Sequence, residues 1–435
     1  MGILQDLLKD IPIPKMAKVQ VAFDDMKIHN VQHVLMEKLE QENIKKRITP
    51  GMEIAIAVGS RGLDQIVEIT AIIVEFLKGL GVNPFIVPSM GSHGGATAEG
   101  QQEVLKHLGI TEESVKCEIR SSMEVVKVGQ LPNGLPVFVD KHASKADGII
   151  VINRIKPHTA FRGPVESGIM KMISIGLGKQ KGAETCHQLG FKHMAENVPA
   201  MAKVIMEELP ILFGIASIEN SFDKVAVIEV LPSEDIEARE ADLQATAKQL
   251  LPKLYFDQLD VLVIDEIGKN ISGDGMDPNV TGRYPTPYAH GGPDVNKMVV
   301  LDLTPQTEGN ANGVGTADFT TQRLVDKANL EFMYANGLTS TVVAPTKIPT
   351  TLPNDLQAIQ AAIKTSNILD FTQVKMVRIK NTLELSEIEV SAALLDYVQS
   401  QPHMKQISDL YSIPFNKEGN LFKVEDNNET IIRFN

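Results

Sequence analysis

EIAIAVGSRGLDQIVEITAIIVEFLKGLGVNPFIVP, residues 53–88, spans one strand–helix–strand unit. Its two ends, EIAIAV and NPFIVP, are short apolar runs rich in β-branched side chains, the pattern of strands buried on both faces. Between them, Leu63 to Leu80 carries apolar residues at spacings of three and four, the stripe of a helix packed on a sheet. The same alternation recurs in DGIIVIN (147–153), PILFGIA (210–216), KVAVIEV (224–230), DVLVID (260–265) and KMVVLDL (297–303), with a further helical stretch from Glu99 to Leu108. Strands alternating with helices give an α/β fold with largely parallel sheets.

The chain has 435 residues, which predicts two such domains. The acidic, Ala-rich segment Ser233–Leu251 ends at Pro252, and a fresh buried strand begins at Asp260. The expected division is therefore 1–255 and 256–435, with the last ~40 residues packing back on the first domain and the active site in the cleft between the two. Forty-two Lys and Arg against 55 Asp and Glu leave a net charge of -13, which disfavours nucleic acid and anionic membrane as partners. No apolar run approaches the length of a membrane helix, and MGILQDLLKDIPIP lacks a cationic n-region, so a cytoplasmic location is expected. Cys117 and Cys186 read as reduced thiols.

Open α/β sheets bind ligands outside the carboxyl ends of their strands. Here those positions are polar. EIAIAV is followed by Gly59, Ser60 and Arg61, NPFIVP by SMGSHGGATAEG with His93, and DGIIVIN by Arg154, Lys156, Pro157 and His158. Each histidine read alone is as compatible with a turn or capping role as with catalysis. As a pair at neighbouring strand ends, two imidazoles with pKa values near neutrality suit acid and base duty on opposite faces of one carbon.

The densest segment is HTAFRGPVESGIMKMISIGLGKQKGAETCH, residues 158–187. Its run with Gly176, Gly178, Lys179 and Lys181 suggests a backbone and ammonium cradle for a phosphate, with tight glycine packing as the alternative. Lys171, between Met170 and Met172, is a candidate nucleophilic amine, set against a snorkelling surface lysine. Cys186 beside His187 is a weak thiol pair, because sequence neighbours seldom share catalytic geometry. No HExxH or paired CxxC occurs, so a protein-only zinc site is not expected. In the second half, Glu266 and Lys269 are three apart just past a strand. Lys269 suits a substrate carboxylate, with Glu266 or Asp265 orienting it. The later loop with Asn312, Asp318 and Thr320 reads equally as capped turns.

Taken in order, Arg61, His93 in MGSHGG, His158 in KPH, Lys171 and His187 resemble the nickel-pincer lactate racemases and their 2-hydroxyacid racemase and epimerase homologues. The step from Lys171 to His187 is similar to that family's own spacing. The resemblance implies a nickel-pincer nucleotide, a nickel pyridinium bisthiocarboxylate mononucleotide, joined covalently to Lys171, with His187 as the protein ligand to nickel. It implies that Arg61, Gly176, Gly178 and Lys179 face this cofactor, that Lys269, Glu266 and Arg61 bind substrate, and that His93 and His158 are the catalytic pair. The activity implied is racemisation of a small-molecule 2-hydroxyacid by hydride transfer through a 2-keto intermediate; a homo-oligomer is compatible with it.

The chain departs from those enzymes in its longer step from His158 to Lys171, in GIM before the lysine, in Ser60, and in having no Trp. These departures extend the expected substrates from lactate to larger or more polar hydroxyacids such as a sugar acid. Two other classes use the same basic rim: a nickel-free sugar-acid isomerase or dehydratase, and a non-catalytic module binding an anionic metabolite.

Overall fold

The computed structural model describes residues 2–60 and 62–422, so Arg61 lies outside the described residues. By Cα proximity the chain divides into two units, one of residues 24–251 and one joining residues 1–23 to those from 252 onward. Both are α/β, with mostly parallel sheets.

In the first unit six strands run in the order Glu118–Ile119, Asn83–Pro88, Glu53–Val58, Gly148–Arg154, Ile211–Glu219 and Val225–Pro232. All neighbours are parallel except the last pair. The expected helix between the first two long strands forms as Ile66–Gly79 and buries Ile66, Ile69, Ile72, Ile73, Phe76 and Leu77. It stops in a Schellman turn: Gly81 adopts φ +75, while Val82 N–H reaches Leu77 O and Gly81 N–H reaches Lys78 O. Its apolar stripe meets Ile54, Ile56, Val58, Ile150 and Ile152 in one core. Each such side chain contributes roughly 1.5–3 kcal/mol on burial. The sheet's topology fixes where a site can lie. From Glu53–Val58 the chain moves to one side through Asn83–Pro88, and from Gly148–Arg154 to the other through Ile211–Glu219, so the switch point lies between Val58 and Arg154.

In the second unit eight strands of the described residues form one sheet in the order Thr350–Leu352, Phe319–Thr321, Asp294–Leu303, Gln258–Ile267, Met376–Ile379, Glu387–Ser391, Met16–Val21 and Met404–Gln406. The first five are parallel and the last three antiparallel. The division differs from the expected limits of 1–255 and 256–435 at the start of the chain. Residues 1–23 belong to the second unit, because Met16–Val21 pairs with Glu387–Ser391, Val19 opposite Ile388. The described part of the C-terminal tail extends the same sheet through Met404–Gln406; residues 423–435 lie outside the described residues. No helix among the described residues is long and apolar enough to cross a membrane.

Candidate active site

The segment 155–187 crosses the carboxyl ends of the first unit's strands. Ile155 and Lys156 leave Gly148–Arg154 and pair with Ser217 and Ser167. The loop that follows is folded around Glu166, which is buried. Its carboxylate accepts from the His158 amide at 2.8 Å, from Arg162 at 3.2 Å and from Lys248 at 2.6 Å. The chain then forms a three-residue α-turn, Ile169–Lys171, a π-helical stretch, Met172–Gly176, and the helix Lys179–His187. π-helical insertions recur at functional sites, and this one begins directly after Lys171. Met172 lies over Gly59 at the switch point, where a Cβ on Gly59 would come within 2.7 Å of its Cε.

Lys171, His158 and His187 come together here. Burial, reinforced by the positive charges of Lys171 and of His187 when protonated, holds the His158 imidazolium well below its ordinary pKa. Burial, with a smaller push from Lys171, also lowers His187, against a hydrogen bond that favours its charged form. Both rings are therefore neutral near pH 7. Their tautomers follow from their partners. His187 Nδ1 lies 2.6 Å from Ala183 O and must carry the proton, which leaves the lone pair on Nε2. His158 Nδ1 accepts the Ala160 amide at 3.0 Å, so its proton is on Nε2. Phe161, at 4.4 Å from the His158 ring, and Phe191, at 5.4 Å from the His187 ring, supply apolar walls.

His93 follows Asn83–Pro88 and is exposed. Its Nδ1 lies 2.8 Å from Met90 O, so in the neutral ring that nitrogen carries the proton and Nε2 the lone pair. His93 and His158 thus stand at the ends of the two strands flanking Glu53–Val58. Cys186 is buried, with Sγ 3.7 Å from Met194 Sδ and its thiol pushed up to about 12 by burial, so it is no nucleophile at neutral pH. Cys117 is likewise buried and free.

The expected phosphate cradle needs correction. Lys179 is fully buried; it donates to Pro88 O and to Gln101 Oε1 at 3.0 Å, and lies 3.3 Å from Asp140. An ammonium enclosed by three partners ties strand ends together and does not face a ligand. A Cβ on Gly176 would meet Ser89 O at 2.7 Å, and one on Gly178 would meet Ser174 O at 2.8 Å, so these glycines serve close packing. Three partners in this region escape sequence reading: Gln101, Asp140 and Lys248. Glu166 stands within the quoted segment without an assigned role.

In the second unit Lys269 and Glu266 lie at the switch point of their own sheet, between Gln258–Ile267 and Met376–Ile379. Lys269 Nζ donates to Gly273 O at 2.6 Å, and Glu266 accepts from Asn381 at 3.2 Å. Asp265, offered as an orienter, is held in a two-pronged pair with Arg378, both bonds at 2.8 Å. Asp318 accepts from Arg283 and the Met298 amide, while Thr320 bonds Val300 O. The helix Gln322–Lys327 is capped by Thr321, which accepts from the Leu324 amide at 3.2 Å, and not by Asp318 or Thr320.

Residues 10–198 match the family model of the lactate racemase N-terminal domain. Among solved structures, the lactate racemase apoprotein from Thermoanaerobacterium thermosaccharolyticum is similar in fold, with a TM-score of 0.51 and 11% sequence identity over 85% of this chain and 99% of that one. No curated protein sequence matches the chain.

Proposed function

We propose, on the premise that the chain belongs through residues 10–198 to the lactate racemase family, that it is a racemase or epimerase of a 2-hydroxyacid. The observation that carries this reading is the grouping of Lys171 with two neutral imidazoles, His158 and His187, at the carboxyl edge of a parallel sheet. The donor set fits the nickel-pincer nucleotide that the resemblance implies. Lys171 would carry it covalently, and His187 Nε2, kept unprotonated by burial and by the Ala183 bond on the other nitrogen, would be its nickel ligand. When bound, that group supplies an acceptor and donor for the α-hydrogen as hydride. Gly176, Gly178 and Lys179 do not fit its phosphate.

The proton chemistry falls to the two histidines. In the neutral ring His93 Nε2 takes the substrate hydroxyl proton and, as the imidazolium, returns it when the alcohol is reformed, while His158 Nε2–H donates a hydrogen bond to the substrate oxygen without giving up its proton. For the opposite enantiomer the base is His158, which must then shift its proton to Nδ1 and release the Ala160 amide before it takes and returns the hydroxyl proton. Phe161 and Phe191 keep water from the carbonyl stage. We assign the substrate carboxylate to the cation Arg61 on charge, as the resemblance implies.

The test is interconversion of single enantiomers, lactate and longer polyhydroxylated 2-hydroxyacids, read by chiral chromatography on protein co-expressed with cofactor-making enzymes. Lys171→Ala abolishes turnover; His93→Ala and His158→Ala lose turnover and keep nickel; His187→Ala loses nickel. Turnover retained by Lys171→Ala overturns the reading and leaves a nickel-free isomerase.

A further inference from the structure

Helix Ile236–Leu250, within the acidic, Ala-rich segment of the sequence, turns polar side chains inward. Glu240 and Gln244 are buried, and Lys248 follows at the same spacing of four, which places all three on one face. This face grips the site in two places. Lys248 holds Glu166, which in turn holds the His158 amide. Glu240 reaches the turn that bears Lys171.

That turn needs outside help. Its N-cap, Gly168, has no side chain to satisfy the first amides, and only three α-helical residues precede the π-helical stretch. Glu240 Oε2 accepts the Met170 N–H at 2.8 Å, and the neighbouring Ile169 amide also favours the charged carboxylate. Gly168 admits this contact, since a Cβ there would collide with the Glu240 carboxyl and stand 3.0 Å from Ile155 Cγ1. The other carboxyl oxygen, Oε1, is buried without a hydrogen-bond partner among the described residues. A leucine would fill the same volume without that cost. What leucine lacks is the acceptor.

We infer that Glu240 is a positioning residue which, by accepting the Met170 amide of the Ile169–Lys171 turn from a neighbouring helix, fixes the pose in which Lys171 is covalently loaded. The inference rests on Lys171 being the cofactor-bearing lysine. It is tested with Glu240→Leu, Glu240→Gln and Glu240→Asp, each made with the cofactor-making enzymes and each melted alongside wild type. The adduct fraction on Lys171 is read by peptide mass. Glu240→Leu should fall about tenfold in loading, the loss of one helix cap, while Glu240→Gln, whose carbonyl still accepts, keeps most of it. Wild-type loading of Glu240→Leu at a wild-type melting temperature overturns the inference. If Glu240→Leu does not fold, Glu240→Asp decides, since its acceptor is drawn back by one methylene: reduced loading supports the inference and wild-type loading overturns it. Amide hydrogen exchange on unloaded protein separates this from failure of the cofactor reading. In Glu240→Leu the Gly168–Met172 peptide should exchange about tenfold faster while the His158–Glu166 peptide is unchanged, and no change in the former overturns the inference whatever Lys171 carries.

Discussion

Replacing Glu240 by Gln should change how the stability of the protein depends on pH, and the size of the change follows from the burial of one carboxyl. Glu240 is pushed from 4.5 up to about 7 by burial, partly offset by the Met170 and Ile169 amides. In the unfolded chain it titrates near its ordinary value. Between those two values the folded protein therefore binds more protons than the unfolded one, and stability falls as pH rises. With 1.36 kcal/mol for each unit, the loss from pH 5 to pH 9 is roughly 2.5 kcal/mol, most of it complete by pH 7. Glutamine has no proton to lose, so Glu240→Gln should escape this loss, and the difference between the two proteins isolates Glu240 because other groups cancel. The assay is urea unfolding of wild type and Glu240→Gln at pH 5, 7 and 9, followed by a signal from the first unit. The variant should gain on wild type by roughly 2.5 kcal/mol between pH 5 and pH 9. Parallel pH profiles would refute the reasoning, since they would mean that the carboxyl is solvated or ionised at no cost.

Further predictions concern the groups around the site. Lys179→Ala should destabilise the first unit by about 3–5 kcal/mol, because it leaves Asp140 buried without its cation; a melting temperature within a degree or two of wild type, with weakened cofactor binding alone, would restore the phosphate-cradle role. Glu166→Ala should cost about 3 kcal/mol in chemical denaturation and lower turnover through His158, since it unties Lys248, Arg162 and the His158 amide together. Cys186 should resist alkylation by iodoacetamide at pH 8 in folded protein and react only on unfolding, because burial raises its thiol to about 12.

The strands and helices were legible because burial imposes period: EIAIAV, NPFIVP and the stripe through Ile66–Gly79 carry their structure in apolar spacing alone. Met16–Val21 was not assigned to the second unit because its partners, Glu387–Ser391 and Met404–Gln406, lie near the other end of the chain. Long-range antiparallel pairing leaves no local trace. In the site, Lys171 and His187 stood out only through a spacing similar to that of the lactate racemases, and the structure groups both with His158. Lys179 was misread because lysines are rarely enclosed, and only the structure supplies Asp140, Gln101 and Pro88 O around it. Glu240 and Lys248 were missed among the many charges of Ile236–Leu250, where the one signal is that Ile236, Glu240, Leu243 and Ala247 share a helical face. The π-helical stretch after Lys171 has no sequence signature.

The account turns on what Lys171 carries. The direct measurement is the mass of the peptide containing Lys171, with a nickel assay on the same sample, from protein co-expressed with the cofactor-making enzymes. The proposed function requires an adduct on Lys171 and nickel in near-equal amount to protein, with nickel lost in His187→Ala. A bare Lys171 under conditions that load a lactate racemase would contradict it.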